Sequence, residues 1–258
     1  MAHRASMRRI LGCVVLWAGL SVTGCQSGPV RNLNGDISIS QDIRLRRIGK
    51  GVWVHTTYFD LPEFGRCPAN GLLVVDRSEA MLIDLPWTDE QTAQLTDWID
   101  GHLGATVTKV VPTHFHIDCM GGLAEAHRRG AASYALDQTI TLAQQKRLPV
   151  PRHGFSDEVT LRCRKTPVVV TYHGAGHTTD NTIAWLPRQK ILFAGCLVKS
   201  LNSRSLGNTR DGDLDAYPAT LRRVRAAYPE AELVVPGHGA WGSADLIDHT
   251  LSLCESTR

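Results

Sequence analysis

The sequence predicts an α/β (α+β) protein folded as a four-layer αββα sandwich, and three observations predict it. Short β-rich runs lie between Arg44 and Asp84, helix and strand patterns then alternate as far as Gln145, and strands followed by helices recur from Val168 to Cys254. Strands then helices, twice over, require two sheets packed face to face with helices outside, not one doubly wound sheet. No exact internal repeat accompanies this, so the likeness of the halves is one of element order alone.

In chain order, Val52-Trp53-Val54, Leu72-Leu73-Val74-Val75 and Met81-Leu82-Ile83 read as consecutive strands. Between the first two, Phe59 to Gly71 contains two Pro and two Gly, which predicts a long mobile loop. Thr88 can cap a helix running to about Leu103 with Leu95, Trp98 and Ile99 on one side, and Val107 to Val111 follows as a buried strand. Leu123 to Arg129 predicts a helix, Ser133 to Ala135 a short strand, and Asp137 to Gln145 another helix. Val168 to Tyr172, Thr182 to Leu186 and Ile191 to Ala194 read as strands, Asp215 to Tyr228 as a helix, Leu233 to Val235 as a strand, and Ser243 to Cys254 as a closing helix.

The N-terminus has a different character. Arg4, Arg8 and Arg9 precede an apolar stretch from Ile10 to Leu20, too short for a spanning helix of about 20 apolar residues, and this is the pattern of a secretory signal. Val22-Thr23-Gly24-Cys25 resembles a bacterial lipobox, which implies cleavage before Cys25, its lipidation, and a periplasmic protein anchored to the outer membrane. An ordinary cleaved signal and a soluble periplasmic form is the alternative. The organisation is then a signal peptide at 1–24, a tether at 25–43 and one domain at 44–258, since no Pro-, Gly- or Ser-rich linker divides the remainder.

Removing residues 1–24 takes away three Arg and no acidic residue, which brings the formal net charge from +3 to zero. Nucleic acid is therefore not an expected partner, because its recognition needs a surplus of clustered Lys and Arg. A monomer with a small-molecule substrate is the expectation. Beyond Cys13 and Cys25, the mature chain carries Cys67, Cys119, Cys163, Cys196 and Cys254, an odd number. In an oxidising compartment this argues against a simple disulfide framework and for a Cys with another task, such as metal ligation; a buried free thiol is the other reading.

The chemistry concentrates at strand ends. Thr113-His114-Phe115-His116-Ile117-Asp118 follows the strand ending near Pro112, so two imidazoles and a carboxylate can converge where the chain turns. His177 in Gly176-His177-Thr178, Cys196 after Phe193-Ala194-Gly195, and His238 in Gly237-His238-Gly239 occupy the same kind of position, each beside a Gly that permits a tight bend. Six donors of N, O and S type suit two zinc ions, each with a position left for water.

These six residues resemble the pattern of the metallo-β-lactamase superfamily, in particular the β-lactamase subclass whose second zinc is bound by Asp, Cys and His. The resemblance extends from about Arg44 onward. It implies the metallo-β-lactamase fold, with His114, His116 and His177 on the first zinc and Asp118, Cys196 and His238 on the second. Superfamily hydrolases acting on thioesters, phosphodiesters or lactones usually carry a bridging Asp where Cys196 stands, and tend to have His where Cys119 stands. Cys119 is itself a departure, open to reading as a buried thiol, an extra ligand or an oxidation target.

The resemblance further implies opening of the β-lactam ring of penicillins, cephalosporins and carbapenems by a hydroxide held by the metals, and with it antibiotic resistance. Asp118 would position the metal and the hydroxide, Lys199 would bind the substrate carboxylate, and Asn208 would approach the carbonyl oxygen. Asp84 matches a carboxylate that orients the site, Leu61 and Phe64 sit in a flap over the substrate, and Trp87 lines the opposite wall. Another metallo-hydrolase on the same scaffold and a non-catalytic zinc-binding lipoprotein are the rival readings.

Overall fold

The computed structural model describes residues 36–62 and 64–256 together with Met1 and Ala2; the rest of the expected signal peptide with Cys13, and Cys25 and residues 26–35 of the expected tether, lie outside the described residues. The first sheet runs β1 (Ile37–Ser38), β2 (Ile43–Gly49), β3 (Val52–Leu61), β4 (Gly65–Asp76), β5 (Glu79–Ile83), β6 (Thr106–Val111), β7 (Ala132–Leu136) and β8 (His153–Phe155), in that spatial order. It is antiparallel as far as β5 and parallel from β5 to β8. Parallel neighbours need crossovers. These are α1 (Asp89–Leu103) between β5 and β6, α2 (Ile117–Met120) with α3 (Leu123–Arg128) between β6 and β7, and α4 (Asp137–Lys146) between β7 and β8.

The second sheet has the order β13-β12-β11-β10-β9, from β9 (Glu158–Cys163), β10 (Thr166–Tyr172), β11 (Thr182–Leu186), β12 (Ile191–Gly195) and β13 (Leu233–Pro236). Helix α5 (Tyr217–Ala227) crosses from β12 to its parallel neighbour β13, and α6 (Asp245–Ser256) closes the chain. No described helix is long and apolar enough to cross a membrane.

Alternation along the strands makes the four layers. On β4, Leu73 faces the helices with Leu82, Leu95, Trp98, Ile99 and Val110, whereas Leu72 and Val74 face the second sheet with Val52, Met81, Val168, Val170 and Phe193. Across the second sheet, Trp185 and Leu192 pack on Tyr217, Leu221, Val224, Leu246 and Ile247 of α5 and α6. Three apolar interfaces between four layers are the αββα sandwich. Helix α1 starts where expected: the Thr88 hydroxyl accepts from the Gln91 backbone N–H, and Gly104 ends it at φ 61°.

Three local expectations need correction. The loop expected over Phe59 to Gly71 is a hairpin, since β3 and β4 stay paired from Val52↔Val74 to Leu61↔Gly65. Pro68 is tolerated because β4 pairs with β5 only from Leu72 onward, leaving the proline on an unpaired edge. The ordered fold also begins ahead of Arg44, inside the expected tether: Ile37 pairs with Leu45, and Ile43 is fully buried in the helix-side core. The short strands β8 and β9 were not expected either; both are sheet edges, and only Phe155, Leu161 and Cys163 in them are buried. No disulfide joins any of the described cysteines.

Candidate metal centre

The candidate donors follow strands: His114, His116 and Asp118 come after β6, Asp118 already within α2, while His177, Cys196 and His238 come after β10, β12 and β13. Thr113, just past β6, is held by Asp84, just past β5: its backbone N–H donates to Asp84 Oδ1 at 2.6 Å and its hydroxyl to Asp84 Oδ2 at 2.9 Å. Asp84 takes this position with a left-handed backbone, φ 55°, which Asp tolerates better than most side chains and which is common at constrained sites. Burial pushes its carboxyl well above the usual range, with the Thr113 N–H opposing and Cys196 and Asp118 adding to the rise. Asp84 therefore fixes the start of the segment that carries His114, His116 and Asp118.

Two donor sets result. The rings of His114, His116 and His177 stand edge to face, with centroids 4.7, 5.0 and 5.3 Å apart, and one nitrogen from each lies within 4.8 Å of the others. In the second set, Asp118 Oδ2 is 3.4 Å from Cys196 Sγ and 3.0 Å from His238 Nε2. Asp118 Oδ1 is 3.9 Å from His114 Nε2, so the carboxylate links the sets. Cys196 reaches its place because Gly195 bends at φ 53° and because Gly237 has no side chain: a Cβ there would fall 2.4 Å from Cys196 Sγ.

The imidazoles are prepared as ligands. His114 Nδ1 donates to Thr113 Oγ1 at 3.3 Å, His116 Nε2 to Asp211 Oδ2 at 3.0 Å and His238 Nδ1 to the Pro68 carbonyl at 2.5 Å. Each ring thereby has one nitrogen engaged and the other directed to the donor sets, the arrangement that orients metal ligands. Burial drives the His114 pKa down to about 3 and lowers that of His177, so both present a lone pair at neutral pH. Burial opposes ionisation of Asp118, but its hydrogen bond to His238 and the positive charge of that ring hold its carboxyl well below the usual range. His238 is pushed the other way, well up: burial lowers it, and Cys196 and Asp118 more than offset that.

A divalent ion fits these residues. His114 Nε2 and both ring nitrogens of His177 are buried without a hydrogen-bond partner, a costly state that a metal would relieve. Neutral imidazoles with one carboxylate and one thiol are the donor chemistry of zinc.

The remaining expected residues are less uniform. Lys199 is not a solvated surface residue: it is 9% exposed, and its Nζ donates to the Cys196 carbonyl at 2.9 Å. Asn208 is exposed, with its Oδ1 accepting from the Arg210 backbone at 3.2 Å. Its loop is tied to the His177 turn by Thr179 N–H to Asp211 O and Asp213 N–H to Gly176 O. Phe64, at the hairpin tip, is 67% exposed, and Leu61 is half-buried. Trp87 is not an open wall: it is buried, stacked on Phe59 at 5.7 Å, bonded through Nε1 to the Thr57 carbonyl, and 6.5 Å from the His238 ring.

Sequence reading did not single out Asp211, Asn70 or Pro68. Asn70 Nδ2 donates to the Pro236 and Gly239 carbonyls, which bracket His238. Only the concentration of polar residues from Asn208 to Asp213 hinted at Asp211, and a backbone carbonyl such as that of Pro68 leaves no trace in a sequence.

The family model described as the metallo-beta-lactamase superfamily matches residues 64–238, a range that runs from the start of β4 through the whole second sheet and includes all six candidate donors. A metallo-beta-lactamase type 2 of Bacteroides fragilis is 42% identical over 214 residues, covering 83% of this chain and 86% of that protein. One of Bacillus cereus is 35% identical over 226 residues, 87% and 85% of the two chains. The solved structure of a metallo-beta-lactamase from Pontibacter korlensis superposes with a TM-score of 0.80 at 39% identity, over 83% of this chain and 99% of that one. Likeness of this extent, in fold and along the sequence that builds the two donor sets, means that the chain belongs to the metallo-β-lactamase superfamily.

Proposed function

We propose that the protein is a zinc-dependent β-lactamase that opens the lactam ring of penicillins, cephalosporins and carbapenems, and so confers resistance to them. The observation that carries this is the pair of buried donor sets joined through Asp118, in a chain 42% identical to a protein named as a type 2 metallo-beta-lactamase. Cys196 distinguishes it from thioester-, lactone- and phosphodiester-cleaving relatives.

Two zinc ions would be held by His114, His116 and His177 and by Asp118, Cys196 and His238. Bound zinc supplies a water acidified to a pKa of about 7 and Lewis-acid stabilisation of developing negative charge. The chain's own residues do the rest. Asp118, restrained by His238 and Cys196, orients the attacking water through its carboxylate. Lys199 uses one of its three ammonium donors on the Cys196 carbonyl, which leaves two for the carboxylate of a β-lactam. Asn208 turns its amide toward the lactam carbonyl oxygen, where a donor counts most as charge develops. The β3–β4 hairpin, with Leu61 and Phe64 near its tip, covers the bound antibiotic, and Trp87 backs His238 from beneath. The enzyme acts as a monomer in the periplasm, held to the outer membrane by a lipid on Cys25.

The test is turnover of nitrocefin and a carbapenem by zinc-loaded protein, beside a thioester, a lactone and a phosphodiester. β-Lactam hydrolysis that is abolished by a chelator and restored by zinc is expected, with loss of activity and of zinc in Cys196→Ser. Turnover of another class without β-lactam hydrolysis would overturn the proposal.

A further inference from the structure

The mechanism leaves one nucleophile at the centre without a task. Cys119, on α2, is 1% exposed, and its Sγ lies within 4.8 Å of Cys196 Sγ in a group that also contains His114 and Asp118. Cys119 Sγ is held against the first donor set, 3.3 Å from His114 Nδ1 and 3.7 Å from Thr113 Oγ1. The other described cysteines are elsewhere: Cys163 donates to the Val74 and Glu79 carbonyls, Cys254 is on α6, and Cys67 is on the hairpin. A disulfide needs sulfurs at about 2.05 Å, so the two adjoining side chains must close on each other to form one. The route in is through His238, whose side chain is 40% exposed above Asp118 and Cys196.

We propose that Cys119 is the resolving thiol of Cys196, so that oxidation of the metal centre by a small peroxide ends in a reversible Cys119–Cys196 disulfide. Cys196 Sγ attacks one peroxide oxygen, the O–O bond breaks, and water leaves with a sulfenic acid on Cys196. Cys119 Sγ then attacks the sulfenic sulfur, forming the S–S bond and expelling the hydroxyl as a second water. Two thiols are oxidised and one hydrogen peroxide is reduced to two waters, with the thiol protons leaving in those waters. Without a resolving thiol, sulfenic acid proceeds to sulfinic and sulfonic acids, which thiol reductants do not reverse. Cys119 therefore protects the donor that the second zinc needs. Zinc bound by Cys196 would slow this oxidation, a point that rests on the metal reading above; the disulfide rests only on the geometry.

The experiment treats metal-depleted protein with hydrogen peroxide and reads intact mass and the digest. The wild type is expected to lose two hydrogens, to yield a peptide pair linked through Cys119 and Cys196, and to regain its zinc after dithiothreitol. Cys119→Ser is expected to gain two or three oxygens on the Cys196 peptide and not to regain zinc; Cys119→Ala, checked with it by circular dichroism, serves should the serine variant not fold. Oxygen gain on Cys196 in the wild type, or a link to a different cysteine, overturns the proposal whichever variant folds. Equal oxidation with and without zinc, with the Cys119–Cys196 link still formed, would instead count against Cys196 as a zinc donor.

Discussion

The carbonyl oxygen of Pro68 accepts a hydrogen bond from His238 Nδ1 across 2.5 Å, joining the hairpin to a residue 170 positions later. This contact sets the tautomer of His238 and aims Nε2 at Asp118. Asn70 makes the geometry possible. It donates to the Pro236 and Gly239 carbonyls on either side of His238, accepts from the Thr56 hydroxyl, and its backbone N–H donates to Gly237 O at 2.8 Å. Asn70→Ala strands two carbonyls, at a cost of about 1–3 kcal/mol if they stay buried. It is expected to lower the melting temperature and to weaken the more easily removed zinc by about ten- to a hundredfold. Chelator titration followed by thermal denaturation checks both; unchanged zinc affinity would show that the bracket does not orient His238.

Asp84 acts at the opposite side of the centre. Its carboxyl accepts from both Thr113 donors, the backbone N–H and the hydroxyl, and Thr113 in turn accepts from His114. Asp84→Ala leaves those donors buried and frees the His114 segment, so a loss of about ten- to a hundredfold in kcat or zinc affinity is expected. Asp84→Asn keeps one acceptor oxygen and is expected to fall between the wild type and the alanine variant, which steady-state kinetics at saturating zinc would reveal.

Most of this architecture was legible in the sequence, for reasons that separate the readable from the unreadable. Buried strands such as Leu72 to Val75 and Ile191 to Ala194, and the Thr88-capped α1, announce themselves because their apolar residues have one environment to satisfy. The six candidate donors stood out because few other demands crowd His114, His116 and Asp118 into five residues after one strand and set His177, Cys196 and His238 beside Gly after three others. The hairpin did not: Pro62, Gly65, Pro68 and Gly71 signal a loop, and only the three-dimensional position of Pro68 on an unpaired edge makes strand pairing possible. Asp211 and Asn70 were hidden for a related reason. Their partners, His116 and the carbonyls around His238, are 95 and more than 160 residues away, and nothing local marks them.

The hairpin tip offers a test of substrate contact that does not disturb the fold. Phe64 is 67% exposed, so Phe64→Ala removes little buried surface and is expected to change stability by less than about 0.5 kcal/mol. As a flap residue it would bind substrate and transition state alike, and its loss is then expected to raise KM several-fold with kcat nearly unchanged. Steady-state kinetics on nitrocefin, with a melting curve as control, decides; an unaltered KM would remove Phe64 from the substrate contacts.

Glu125 gives a prediction about acid stability far from the metal chemistry. On α3 its carboxylate accepts from Arg128 at 2.6 and 2.7 Å and from Arg129 at 2.5 Å, while its own N–H donates to Asp89. The bonds from Arg128, then those from Arg129, lower its pKa from 4.5 to about 2 against the desolvation of its side chain. Because the folded pKa is the lower one, the unfolded chain binds the proton more readily, and stability from this group is complete above pH 4.5. It is lost as the pH falls from there toward 2, where the folded carboxylate also protonates. Glu125→Gln cannot titrate. Its melting temperature, measured on metal-depleted protein, is expected to lie below that of the wild type at pH 6 and to fall less steeply between pH 4.5 and 3, so that the two curves converge on acidification. Parallel curves over that range would mean that the two arginines do not lower the pKa of Glu125 in solution.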